Sequence, residues 1–162
     1  MHVKDSGELV TDPLIVEYGV GQYDSNWNRI EAEWFMSARN VRKVENTDLF
    51  GFSVSADEDA VLRYPKIRNL ADKIGFAVNY DCVGGGGIIE LREKDENGRL
   101  FGEIKIEQPS PVFRWRNRRT GAFRFREALP DTLDFCLTVR PEKGAEMRID
   151  CFHFFSDAIM NP

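Results

Sequence analysis

The stretch DCVGGGGIIELREK, Asp81 to Lys94, decides the fold of this chain. Four consecutive glycines pose a choice between a phosphate cradle and a tight link between strands. A phosphate loop needs a strand before the glycines, a helix after them, and a Lys followed by Ser or Thr. Here the glycines lead into Ile88-Ile89-Glu90-Leu91-Arg92-Glu93, which is β-branched and alternating. Next comes Asp95-Glu96-Asn97-Gly98, which has turn chemistry. No Gly-Lys-Ser or Gly-Lys-Thr occurs. The glycines therefore join two strands.

Working outward, period-two alternation recurs on both sides. Ile74, Phe76, Val78 and Tyr80 alternate with smaller or polar residues in IGFAVNY. The same holds for Ile104 and Ile106, for Phe123 and Phe125, for Phe135, Leu137 and Val139, and for Met147, Ile149 and Cys151. Such alternation gives strands with one face on a core. Glu96-Asn97-Gly98, Thr120-Gly121, Leu129-Pro130-Asp131 and Pro141-Glu142-Lys143-Gly144 supply turns between them. Many short strands at near-regular spacing predict an all-β chain, a two-sheet antiparallel β-sandwich of the jelly-roll kind.

A chain of 162 residues suits one such domain. Residues 28–162 carry the sandwich pattern. Residues 1–27 are polar, with Gly7, Gly19, Gly21 and one short strand candidate, LIVEYGV. They read as an N-terminal extension or interdomain connector.

Composition excludes several classes of function. The net charge of −5 opposes whole-molecule attraction to nucleic acid or an anionic membrane. No apolar run approaches the roughly 20 residues of a membrane helix, and MHVKDSGELV lacks the apolar core of a secretion signal. Cys82, Cys136 and Cys151 form an odd set without CxxC spacing, so they read as small buried hydrophobes, not zinc ligands or a disulfide framework. With His2 and His153 the only histidines, a Ser-His-Asp device has little to work with. His153, in FHFF, is expected to be packed or half-exposed. The chain is not expected to be an enzyme.

The acidic pattern in Arg29-Ile30-Glu31-Ala32-Glu33-Trp34 carries more chemistry. On a strand, Ile30, Ala32 and Trp34 share one face while Glu31 and Glu33 share the other, about 7 Å apart at Cα. Two carboxylates so placed can converge on one hard cation, and Ca²⁺ takes about six to eight oxygens. Asp150, in the C-terminal strand RIDCFHF, supplies a third. Spacing alone leaves two readings open, a calcium site and a solvated edge strand with surface glutamates.

A second pattern is FRWRNRRTGAFRFR, with Arg114, Arg116, Arg118, Arg119, Arg124 and Arg126. If Asn117 to Gly121 turn, Arg114, Arg116, Arg124 and Arg126 crowd one face of a hairpin. Arginine among aromatics can hold single-stranded nucleic acid, which the net charge opposes, or an acidic polysaccharide. The expected outcome is cross-strand pairing with Glu90, Glu103 or Glu107.

Five ordered landmarks, IEAEWF, GFSVSADEDAVLRYPKI, GGGGIIELREKDENGRLFGEIKI, PVFRWRN and MRIDCFHF, run from about Asn28 to Phe154. In that order the chain resembles family 6 carbohydrate-binding modules, jelly rolls appended to polysaccharide hydrolases. GELVTDPLIVEYGVGQYDSNWNRIEAE is similar to the connector between family 43 glycoside hydrolases and their C-terminal family 6 modules.

The resemblance implies a noncatalytic module whose hydrolase domain, arabinofuranosidase- or xylosidase-like, is absent from this chain. It implies a structural Ca²⁺ held by Glu31, Glu33 and Asp150. It implies a sugar cleft with Phe52 as one aromatic, Val112 or Phe113 as the other, and Arg148 where the family has Asn. A second family cleft, on the concave face, has Trp where this chain has Val61. The implied partners are a plant polysaccharide of xylan or arabinoxylan type, or an oligosaccharide, and the attached catalytic domain, with neither nucleic acid nor membrane. The departures at both clefts keep an alternative open: a degenerate module that binds no sugar and serves as an interaction domain for its enzyme. Family habit implies an extracellular or periplasmic setting, while three unpaired cysteines are equally at home in the cytosol.

Overall fold

The computed structural model describes residues 2–3, 9–10, 23–46, 51–114 and 118–156. Two short strands, β1 (His2–Val3) and β2 (Leu9–Val10), pair with each other. The remainder of the expected extension before Tyr23 lies outside the described residues. Eleven further strands follow: β3 (Ile30–Glu31), β4 (Ser37–Arg39), β5 (Arg42–Glu45), β6 (Phe52–Ala56), β7 (Ala60–Ile67), β8 (Gly75–Val83), β9 (Gly87–Glu93), β10 (Leu100–Ile106), β11 (Arg119–Arg124), β12 (Leu133–Pro141) and β13 (Glu146–Phe155). They form a five-stranded sheet, β10-β9-β12-β7-β4, and a six-stranded sheet, β11-β8-β13-β6-β5 with β3 added on β13. Every pairing in the two sheets is antiparallel. The chain is a β-sandwich.

Alternation builds the core between the sheets. Phe76, Val78, Tyr80 and Cys82 from β8 meet Ile89 and Leu91 from β9, Phe135, Leu137 and Val139 from β12, and Met147 and Ile149 from β13. Aromatic rings dominate one region, where Phe76 contacts Phe123, Phe152 and Phe154 with centroids 5.5–5.6 Å apart. Such edge and tilted contacts add to the area they bury. Tyr23 and Ser25 belong to this body: the Tyr23 ring meets Tyr64, and the Ser25 N–H donates to the Arg68 carbonyl at 3.0 Å.

The glycine run carries the chain from β8 in one sheet to β9 in the other. Gly84 has φ +83°, a left-handed conformation that L side chains avoid. A side chain on Gly86 would strike the Ile106 carbonyl oxygen at 2.1 Å. The Gly86 N–H donates to Glu142 Oε2 at 2.9 Å, so a carboxylate of the chain takes a donor that a phosphate would need.

Three expectations are corrected. The strand over Arg29–Trp34 stops at Glu31, and Ala32–Trp34 form a 3₁₀ turn. The cause is topological: β3 pairs with β13 in one sheet and β4 with β7 in the other, so the chain must cross between them. Ile30 and Ala32 enter the core, but Trp34 is left 50% exposed. Second, β13 breaks its alternation between Ile149 and Cys151. Met147 and Ile149 face inward before the irregularity, Phe152 and Phe154 after it, and Cys151 lies outside the core cluster. Third, Thr120-Gly121 is not a turn but the middle of β11, which pairs with β8. A Cβ on Gly121 would lie 2.5 Å from Ile104, so this glycine marks close approach of the sheets.

Candidate carbohydrate and cation sites

The irregularity in β13 decides where Asp150 goes. A bulge re-aims a side chain: Asp150 has no register partner on β8, lies off the core parity of Met147 and Ile149, and meets two arginines. Arg29 Nη2 lies 3.0 Å from Asp150 Oδ2, and Arg118 Nη1 lies 2.9 Å from Oδ1. The Arg29 Nε is 2.5 Å from Glu31 Oε1, so one guanidinium bridges two carboxylates. That hydrogen bond holds Arg29 above its already high range, against the opposing pull of burial. Ser53 joins the cluster, with its hydroxyl donating to Asn46 Oδ1 at 2.7 Å and Arg118 donating to its Oγ at 3.3 Å.

Glu33 sits beside this network without sharing it. Its Oε2 is buried and has no hydrogen-bond partner. Burial pushes its carboxyl above the usual range, a backbone hydrogen bond and Lys43 pull it down, and Glu31 and Asp150 push it further up. The three predicted carboxylates are therefore electrostatic neighbours. Two of them are held by arginines, and the third keeps an orphaned oxygen. As placed, no group of three or more His, Cys, Asp and Glu among the described residues is gathered to hold an ion, because Arg29 stands between Glu31 and Asp150.

Arg118 was legible only as a member of an arginine run. Among the described residues, the arginines of that run do not pair with Glu90, Glu103 or Glu107. β11 lies in the six-stranded sheet, whereas Glu90 is on β9 and Glu103 on β10 of the other. Glu90 instead accepts from Arg92 and from Thr138 at 2.7 Å and pairs with Arg140 at 3.2 Å, which holds its carboxyl below the usual range. Glu103 takes Lys105. Arg119 donates to the Gln108 carbonyl, Arg116 lies outside the described residues, and Arg114, Arg124 and Arg126 are exposed.

The predicted sugar residues are partly brought together. Arg148, off the core parity of β13, and Phe113, in the link between β10 and β11, meet with the guanidinium carbon 3.9 Å from the ring centroid. Arg148 also pairs with Glu146 at 3.3 Å, and its register neighbours are Ser55 on β6 and Asp81 on β8. Asp81 is buried, and its Oδ2 has no partner. Phe52 stands apart. Strand parity groups it with the core residues Val54 and Ala56, on the opposite face from Ser55 and Arg148. It is 42% exposed, with Lys43 Nζ 4.0 Å from its centroid. Both aromatic platforms thus carry a cation of the chain. On the other sheet Val61 is buried, and the face around it holds the Glu90 network and Glu96, which takes Arg39 and Arg63.

Comparison with solved structures follows from this geometry. At the level of sequence nothing matches, neither a family model nor a curated protein. A family 6 carbohydrate-binding module from Clostridium stercorarium, solved with cellobiose, superposes with TM-score 0.71 at 16% identity, over 85% of this chain and 98% of that one. The chain has the family 6 module fold. A family 43 arabinoxylan arabinofuranohydrolase from Bacillus subtilis, solved with cellotetraose, matches with TM-score 0.69 at 19% identity, over 84% of this chain and 28% of that one. A family 36 module in complex with calcium and xylotriose matches at 0.59 and 11% identity, over 80% of this chain and all of that one.

The chain's three cysteines are free and buried, and burial raises Cys82 and Cys136 to about 11 and Cys151 to about 12. They are packing residues, not nucleophiles. His153 is half-buried, and desolvation lowers its pKa.

Proposed function

We propose that this chain is a noncatalytic carbohydrate-binding module of family 6 type, accessory to a glycoside hydrolase acting on plant polysaccharide of the xylan or arabinoxylan class. The observation that carries this reading is the meeting of Phe113 and Arg148. A sugar ring presents C–H groups to an aromatic plane and hydroxyls to polar neighbours. Phe113 offers the plane. Arg148 and Glu146 offer donors and acceptors, with the buried Ser55 hydroxyl holding Glu146 and the buried, unpartnered oxygen of Asp81 on the strand beside Arg148. The part of residues 1–27 that precedes Tyr23 would be the connector to the catalytic domain, and a structural Ca²⁺ would be held by Glu31, Glu33 and Asp150.

Affinity electrophoresis through gels containing xylan, arabinoxylan or a uronic-acid polymer tests the sugar reading. Retardation by xylan or arabinoxylan that Phe113→Ala abolishes supports it. The calcium reading predicts that chelation lowers the melting temperature and that Glu33→Ala removes the sensitivity. An unchanged melting curve in chelator counts against it.

One observation favours a second reading. Lys43 lies over Phe52 and Arg148 over Phe113, so a sugar must displace a cation from either ring. A degenerate module that only buttresses its enzyme would tolerate such covering. Under that reading no gel retards the protein.

A further inference from the structure

We propose that Arg148 is a displaceable cover of Phe113 whose second seat is Asp81, so that a sugar arriving on the ring moves the guanidinium onto the carboxylate. The inference rests on the sugar reading above and adds where the covering cation goes. Asp81 is 4% exposed. Its Oδ1 accepts from the N–H of Cys82 at 2.8 Å, and its Oδ2 has no partner among the described residues. A buried carboxylate oxygen is costly to leave unpaired. Tyr80 and Cys82 on either side belong to the core, so Asp81 stands on the outer face of β8. Arg148 stands on the same face of β13, directly across from Asp81 in the register. Such cross-strand partners lie about 5 Å apart at Cβ, within reach of a guanidinium.

The existing bonds of Arg148 confine the movement to its tip. Its Nε donates to Glu146 Oε1 at 3.3 Å, and the Ser55 hydroxyl holds the same oxygen in place. The rest of the guanidinium lies over Phe113, with no hydrogen-bond acceptor for its Nη atoms among the described residues. Without sugar, withdrawal would bare the ring to water, which keeps the cation there. A sugar presents its C–H face to the ring and removes that cost. The guanidinium then exchanges a cation–π contact for a charge-assisted bond to a buried carboxylate, the stronger of the two. Asp81 is thus a positioning residue. It touches no sugar and acts through Arg148.

Calorimetric titration of the full chain with xylotetraose and with an arabinoxylo-oligosaccharide tests this in wild type, Asp81→Asn, Arg148→Ala and the double variant. Asp81→Asn keeps the shape and an acceptor for the Cys82 N–H but loses the charge that draws the guanidinium. It is expected to weaken sugar binding about tenfold, the ratio one charge-assisted bond is worth. In the Arg148→Ala background it is expected to change nothing, an outcome that a purely structural role of Asp81 would not give. In labelled wild type the carboxyl-carbon NMR signal of Asp81 should move as sugar saturates the protein, which covers the case in which a variant does not fold. An equal loss of affinity in both backgrounds, no loss in either, or an Asp81 signal unmoved at saturation overturns the exchange and leaves the sugar reading standing. Binding by the Arg148→Ala proteins alone also overturns it, since the cover then never leaves the ring. Absence of binding in all four proteins overturns both.

Discussion

Asp150 shows how a single side chain can be half legible. Its type and its place near the last strand mark it as a partner for Glu31 and Glu33. Its actual partners, Arg29 and Arg118, lie 121 and 32 positions away and follow no periodic pattern. Only the folded sheets bring them together. Arg118 was visible in the sequence as one arginine among six, inside a supposed turn from Asn117 to Gly121 whose last residues belong instead to β11. Removing it leaves a buried carboxylate with one cation fewer. Arg118→Ala is expected to cost about 2 kcal/mol or more, with Asp150→Asn in the same chain recovering part of the loss. Urea denaturation in chelator measures both. A cost near zero for Arg118→Ala would mean that the ion pair contributes nothing.

Among elements, strands with a continuous apolar face were legible, and crossings between sheets were not. β8, β9, β10 and β12 follow the alternation that predicted them. Ile30–Trp34 also alternates, yet only Ile30 and Glu31 find a partner strand, and the next residues must turn toward the other sheet. Thr120-Gly121 has turn composition but serves close packing, because Gly121 lets Ile104 approach. Glycine composition cannot distinguish a left-handed turn from a tight contact. Substitution can. Gly144 has φ +85° and open space around it, so Gly144→Ala is expected to cost about 1–2 kcal/mol from backbone strain alone. Gly87→Ala would place a Cβ 2.4 Å from Met147 Sδ and 2.7 Å from the Arg140 carbonyl oxygen, and overpacking should cost about 2–3 kcal/mol. Equilibrium unfolding of the two variants checks the order. Gly144→Ala proving the costlier change would reverse it.

At the scale of the whole molecule, the sandwich and its aromatic core were legible because twelve phenylalanines and period-two spacing leave few alternatives. The proposed sugar cleft was less so. Phe113, one of the two aromatic candidates the landmarks left open, meets Arg148, whereas Phe52 falls on the other side of its sheet, a matter of parity that no landmark encodes. Stability should also depend on pH through His153. The unfolded imidazole titrates near 6.5 and burial lowers the folded value. The stability from keeping it neutral is full above that pH and is lost as pH falls below it. Between about pH 7.5 and about pH 5.5, wild type is expected to lose more stability than His153→Gln. Equal losses in thermal melts at the two pH values would remove His153 from the account.

The central claim is that a glycan binds where Arg148 covers Phe113. Titration of the isotope-labelled chain with xylo-oligosaccharides and arabinoxylo-oligosaccharides, followed by amide NMR shifts, reads this residue by residue. Saturable shifts concentrated at Phe113, Arg148, Ser55 and Asp81, and lost in Phe113→Ala, are the predicted result. A spectrum unchanged by either sugar series, or shifts confined to the face around Val61, would contradict it.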